Sequence, residues 1–353
     1  MAFKTAAGYG NLPNGNFSPV IYSKKVQSAF RKTSIVEDIT NSDYFGEIAN
    51  FGDTVRIIKE PEITVQEYAR GTQVTPQDLT DDDFTLVVDK ANYFAFKIDD
   101  IEEAHSHVNF ESMASDRAGY RLKDQFDQEV LGYLSGFKQS ALSAVADTAN
   151  DVKSGTDPVA AGSDGLLSSM ELTHGDFASG GTPANSIAMS ASNASAVATP
   201  LAILNRMSRL LDQQNVDRDG RWVVVDPVFA EELNDENSKL LNNDFAGGQN
   251  AGDILRNGRV ISGLIRGFRV YMSNNLPSIG TGSSTIATSG SGSNFGVIVA
   301  GHDSAVATAS QVEKVETYRD NDSFADIVRG MHLYGRKILR PEALVRAKYN
   351  LYS

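Results

Sequence analysis

The chain has 353 residues, of which 41% are hydrophobic and 22% charged, with a formal net charge of −13 and a pI near 4.9. That is enough apolar material for two or three compact units, and the 30 glycines point to a loop-rich chain rather than a helical bundle. The absence of cysteine excludes disulfides, thiolate nucleophiles and Cys-ligated zinc and fits an intracellular product, while the acidic balance argues against whole-chain binding to nucleic acid.

Residues 1–30 read as an arm: Gly8, Gly10, Pro13, Gly15 and Pro19 stand among Asn and Ser, with few apolar residues to bury. They contain no apolar stretch of the signal-peptide kind, and no run in the chain reaches the ~18 apolar residues of a membrane span. Two segments then carry β-branched and aromatic residues, DTVRIIKEPEITVQEY (53–68) and DFTLVVDKANYFAFKID (83–99). Between them lies a polar stretch with Arg70, Gly71, Pro76, Asp78, Asp81, Asp82 and Asp83. The pattern predicts two long strands folded around an acidic tip. A hairpin of that kind is marginal alone in water, so it packs on its own domain or is completed by another subunit.

Leu122, Phe126, Val130, Leu134 and Phe137 recur at three- to four-residue spacing and predict one amphipathic helix over 110–137. Gly119 and Gly132 within it suggest close packing or a bend. Residues 138–198 are rich in Gly, Ser and Thr and predict short helices and loops. From Thr199 the pattern sharpens. Thr199 and Pro200 open a helix with Leu201, Leu204, Met207 and Leu211 on one face, and RWVVV (221–225) is a buried strand. Asp226–Pro227 caps a second helix, and strand segments follow around Gly263 and Gly267 and at GVIVAG (296–301). Strand, helix and strand in alternation make 199–300 an α/β unit.

The closing segment is β again. Ala343, Val345, Ala347 and Tyr349 alternate with Leu344, Arg346, Lys348 and Asn350, which predicts a half-exposed strand, and Pro341 should interrupt the ladder or sit at an edge. Arg329, Arg336, Lys337, Arg340, Arg346 and Lys348 stand here against only Asp326 and Glu342. A nucleic-acid stripe, a substrate clamp and an assembly surface all begin with residues like these. In a chain otherwise rich in carboxylates, pairing with acidic protein surface, on the same copy or the next, is the expected use.

The chemistry-bearing motifs are weak. His105 and His107, near Glu102, Glu103 and Glu111, form the most ligand-like cluster, but i, i+2 side chains diverge at a helix start. The Asp81–Asp83 run lacks the ligand spacing and turn glycine of a calcium loop. GTGSSTIATSGSGSNFG (280–296) precedes a strand rather than leading from a strand into a helix, which defeats a phosphate-loop reading. His174, His302 and His332 have no nucleophile partner in the pattern, and Trp222 belongs in the core. The expectation is no catalysis, no cofactor and no resident metal.

The order of parts carries a resemblance that no single motif does. The stretches NYFAFKIDDIEEAHSHVNFESMASDRAGYRLKDQFDQEVLGYL, RWVVVDPVFAEEL, GFRVYMSNNLP and VEKVETYRDNDSFADIVRGMHLYGRKILRPEALVRAKY occur in sequence. Together they resemble the major capsid proteins of tailed double-stranded DNA bacteriophages, the HK97-type fold, on the marine and podovirus-like branch. The resemblance implies an α+β fold with an N-arm (1–51) and an extended hairpin called the E-loop (52–98). A P-domain with its spine helix and connecting segment (99–198), an α/β A-domain (199–302) and terminal P-domain strands (303–353) follow. It also implies a non-enzymatic protein whose copies form hexamers and pentamers of an icosahedral shell. That shell would enclose phage DNA without reading its sequence, carry a portal protein, use a separate scaffolding protein and leave room for a decoration protein. The location implied is the virion, assembled in the host bacterial cytoplasm, with no membrane partner. Arg70, Asp78, Asp81, Asp82, Asp83, Arg336, Lys337 and Arg340 are the candidate intersubunit contacts. Two rival readings are an encapsulin-like cargo compartment on the same fold and, more remotely, a metal-dependent hydrolase built on His105 and His107.

Overall fold

A computed structural model describes residues 34–43, 54–59, 63–71, 73, 76–78, 82–99, 110–135, 138–139, 144–145, 167–178, 186–190, 196–234, 264–276, 278–279, 295–321 and 323–351. In chain order the elements are α1 (Val36–Ile39), β1 (Thr54–Lys59), β2 (Asp82–Asp99), α2 (Phe110–Ser135), β3 (Lys138–Gln139), β4 (Ala144–Val145), β5 (Glu171–Leu172) and β6 (Ile187–Met189). There follow α3 (Pro200–Gln213), β7 (Arg221–Val225), α4 (Pro227–Leu233), β8 (Arg269–Met272), β9 (Ser278–Ile279), β10 (Phe295–His302), β11 (Val306–Arg319), β12 (Ala325–Ile338) and β13 (Leu344–Leu351).

The larger sheet runs β5-β13-β10-β7-β8, with β6 on β13 and β9 on β10. Its central strands β7 and β10 are largely apolar without alternation because both faces are covered: all five residues of β7 are buried, as are Val297–Ala300 of β10. Helix α3 begins where the Thr199 hydroxyl accepts the Ala202 amide, with Pro200 needing no donor. Its Leu201, Ile203, Leu204, Met207 and Leu211 join the sheet in the main core with Trp222, Phe229 and Phe268. The Asp226 carboxylate caps α4 by accepting the Phe229 amide at 3.1 Å. Gly296 and Gly301 permit close approaches in this core, since a Cβ would lie 2.7 Å from the Tyr349 ring at the first and 2.9 Å from the Trp222 ring at the second.

The smaller sheet is antiparallel, β1-β2-β12-β11, and made of long strands: 18 residues in β2 and 14 each in β11 and β12. Register irregularities at Ser310/Val312 and Tyr334/Gly335 bend it. Helix α2 joins the two sheets. Its Phe126 packs edge-on against Tyr334 and His332 of β12, and Val130, Leu131 and Leu134 sink into the main core. The 3-10 turn Pro341–Ala343 ends β12 and sends the chain from the smaller sheet into the larger, so Pro341 interrupts the ladder as expected.

Several expectations change. The first hairpin strand is Thr54–Lys59, and residues 63–69 join no ladder among the described residues. Strand β13 is not half-exposed: Leu344 to Asn350 are all buried, because β10 flanks one edge and β5 and β6 the other. Gly119 is not a close-packing point, since a Cβ there would meet nothing within 4 Å. Of the strand segments around Gly263 and Gly267, the second is β8, entered through a turn in which Gly267 takes φ 87°; the first, and Phe137 after the helix, lie outside the described residues.

Candidate assembly surfaces

The hairpin pairs Thr54 with Val87 through to Lys59 with Asp82. Beyond it, the Thr64 amide donates to Gln77 Oε1 at 3.2 Å and ties the two legs of the loop together. Ile63, Val65 and Tyr68 are exposed there, Val65 at 93%. Arg70 and Asp78 are exposed on the same loop. Asp83 sits 3.5 Å from Arg56 across the hairpin, Asp82 is in the ladder opposite Lys59, and Asp81 lies outside the described residues.

The sheet behind the hairpin presents a second apolar surface. Tyr93 (80% exposed), Met331 and Tyr318 stand on it, and Arg329 lies over the Tyr318 ring with its guanidinium 2.9 Å from Glu316. On the other face a cleft of about 780 Å³ opens between α2 and the sheet, lined by Phe94, Leu122, Phe126, Val315 and His332.

The basic residues of the closing segment meet their own chain. Arg336 lies 3.5 Å from Glu129 and over the Tyr133 ring. Glu129 also accepts from the Tyr334 hydroxyl, and burial together with that carboxylate pushes the phenol well up from its ordinary range. Arg346 and Lys348, which sequence placed on a half-exposed strand, are buried against Glu171 at 2.7 and 2.6 Å. Arg346 also donates to the Ser135 carbonyl at 2.8 Å, closing the C-terminal end of α2 with positive charge. Lys337 is half-buried on β12, and Arg340 is exposed at the turn before Pro341.

Two buried carboxylates, Glu171 and Asp127, went unrecognised in the sequence, and Asp226 was read there as a cap but not as a buried partner of Tyr349. The spacing of Arg346 and Lys348 was a signal for the first, since i, i+2 residues on a strand share a face and converge on one partner. Asp226 accepts from the Tyr349 hydroxyl as well as capping α4; burial raises its pKa and, with Asp226, that of Tyr349. His302 bonds Ser304 and the Asp219 carbonyl, and His332 bonds Ser310. Among the described residues no three His, Asp or Glu side chains gather as metal ligands; His105 and His107 lie outside those residues.

The model of a family described as phage capsid protein matches residues 59–347, more than four-fifths of the chain. The chain belongs to that family. No curated protein matches it. Among solved structures, one from Mycobacterium phage Che8 is similar at 25% identity and TM-score 0.68, covering 94% of this chain and 97% of that one. The capsid of cyanophage P-SCSP1u is similar at 20% identity and TM-score 0.62, covering 96% and 94%. The capsid of Ralstonia phage GP4 is similar at 13% identity and TM-score 0.62, covering 99% and 98%. The capsid protein is therefore the major capsid protein of a tailed phage, with an HK97-like α+β fold. It is a structural, shell-forming component of a virion that associates with copies of itself, and neither the encapsulin-like nor the hydrolase reading is favoured. Among the described residues no helix is long and apolar enough to cross a membrane.

Proposed function

We propose that copies of this chain form hexamers and pentamers of an icosahedral shell that encloses phage DNA without reading its sequence, closed at one vertex by a portal protein. A separate scaffolding protein guides assembly in the host bacterial cytoplasm, and the finished surface has room for a decoration protein. The observation that carries this reading is the exposed, ladderless stretch 63–69 beside a sheet that keeps Tyr93, Met331 and Tyr318 in water. Closed shells reuse one chain through many near-equivalent contacts, and such surfaces are what those contacts cover.

The division into N-arm (1–51), E-loop (52–98), spine helix and connecting segment (99–198), A-domain (199–302) and terminal strands (303–353) belongs to the same proposal. The terminal segment serves both sheets: β11 and β12 lie with the hairpin, β13 with the strands of 199–302. The proposed intersubunit contacts are Arg70, Asp78, Asp81, Asp82, Asp83, Arg336, Lys337 and Arg340. Electron microscopy of the full chain co-expressed with its phage's assembly genes tests the reading. Closed angular shells are expected; a chain that stays monomeric under those conditions would overturn it.

A further inference from the structure

Residues 34–43 cross from α2 to β11 as a strap. Their first turn, α1, is only four residues long, and its N-cap position is Ile35, a residue with no side-chain acceptor. The missing acceptor comes from another helix. Asp127 of α2, fully buried, accepts the Ser34 hydroxyl at 2.7 Å, the Ile35 amide at 3.1 Å and the Val36 amide at 3.4 Å. The first amides of a helix have no partner within it, so a carboxylate at that point satisfies them and the positive end of the helix together. At the other end the Thr40 hydroxyl bonds Thr308 at 2.9 Å, the Asn41 amide donates to Val306 at 2.8 Å and the Thr308 amide donates to Asn41 at 3.1 Å. Lys123 of α2 holds Glu37 at 2.9 Å on the outside. Between these ties Ile35, Val36 and Ile39 are buried.

We infer that this strap is a separable element, latched to α2 by the Asp127 cap supplied from outside its own helix, and that it opens as a unit while both sheets stay folded. Three features make it separable. It contributes no strand to the interior of either sheet, tied to β11 by a single bridge at its edge and the Thr40–Thr308 hydroxyl contact. Its amide donors at the α2 end converge on one carboxylate. Its own helix is too short to persist once that acceptor is lost, because a single turn does not offset the cost of nucleation. Asp127 is thus a positioning residue for the strap. The inference concerns one chain and stands independently of shell geometry.

The test is hydrogen exchange followed by mass spectrometry on the full-length protein, with emission of Trp222, the only tryptophan, reporting the main core. Asp127→Asn keeps the shape but turns an amide donor toward donors; Ser34→Ala removes one bond and leaves the core untouched. Exchange across residues 35–41 is expected to speed up by about 10- to 100-fold in Asp127→Asn, the scale of leaving buried donors without an acceptor. A smaller acceleration is expected in Ser34→Ala, with the Trp222 melting transition unmoved in both. Acceleration spread equally over β10 and the strap, with a parallel fall in the Trp222 transition, would show that the strap is part of one cooperative core and overturn the inference. Unchanged exchange at 35–41 in both variants would overturn the role of Asp127. Should Asp127→Asn fail to fold, Ser34→Ala alone decides between these results.

Discussion

The two sheets of this capsid protein solve the burial problem in opposite ways. The larger sheet is covered on both faces by α3, α4 and the inner half of α2, and its strands carry Trp222, Val223–Val225 and Val297–Ala300 with no contact to solvent. The smaller sheet reaches the main core through Val306, Tyr334 and Ile338 and has a second, small apolar cluster of Leu86, Val88, Ala307, Ala309 and Leu339. Elsewhere on it Tyr93, Val315, Tyr318 and Met331 face water. One region is complete in a single chain; the other has the composition of an interior and the exposure of a surface. In a shell protein that contrast separates what folds the subunit from what joins subunits.

Single-residue changes test the contrast, beginning with the core. Leu204→Ala should destabilise the larger unit by about 2–5 kcal/mol, read as a fall in the urea midpoint of Trp222 emission. Leu86→Ala, at an equally buried position of the smaller sheet, should leave that transition in place. If both variants shift Trp222 alike, the two regions are a single cooperative unit and the contrast fails.

Glu171→Gln comes next. It strips the shared partner from Arg346 and Lys348 and should cost about 3–5 kcal/mol, the penalty of leaving buried charge uncompensated. Replacing Glu171, Arg346 and Lys348 together with apolar residues of similar volume should be near neutral by the same melt. A triple variant as damaged as the single one would mean the ion cluster itself stabilises the joint.

The two buried phenols give a pH signature, one in each region. Tyr334 and Tyr349 have folded pKa values raised above the ordinary 10 by burial and by Glu129 and Asp226 respectively. A raised pKa means the unfolded chain loses its phenolic proton first. The stabilisation is therefore complete below pH ~10 and is lost as pH rises from there toward the folded values, with a slope of about 1.4 kcal/mol per pH unit for each group. Tyr349→Phe should flatten that loss for the Trp222 transition between pH 10 and 11.5; an unchanged slope would refute the assignment.

The smallest effect on the subunit should be the largest on the particle. Tyr93→Ser and Val65→Ser are expected to change subunit stability by no more than about 0.5 kcal/mol while lowering the yield of closed shells in sedimentation. A variant that assembles normally would remove its residue from the joining surface.

How much of this was legible in the sequence follows the same division. The α3 cap at Thr199, the buried β7 run, the Asp226 cap and the long amphipathic α2 were all readable, because they are set by neighbours a few residues away. The mistaken strand is instructive. Arg346 and Lys348 look solvent-facing by alternation, yet Glu171, far away in the chain, neutralises them in the interior. Period-2 alternation reports polarity, and polarity equals exposure only when no buried counter-charge exists. Asp127 was unreadable for a related reason: a cap supplied from another helix leaves no capping residue before α1. The hairpin was half legible, its strand pairing correct and its first strand overextended into residues 63–68.

The central claim is that the smaller sheet and its loop are finished by neighbouring copies. Hydrogen exchange compared between assembled shells and dissociated subunits addresses it directly. The account predicts that amides of residues 63–69 and of the β1 and β11 edges become protected only in shells, while those of β7 and β10 are protected equally in both. Equal exchange of 63–69 in shells and free subunits would contradict it.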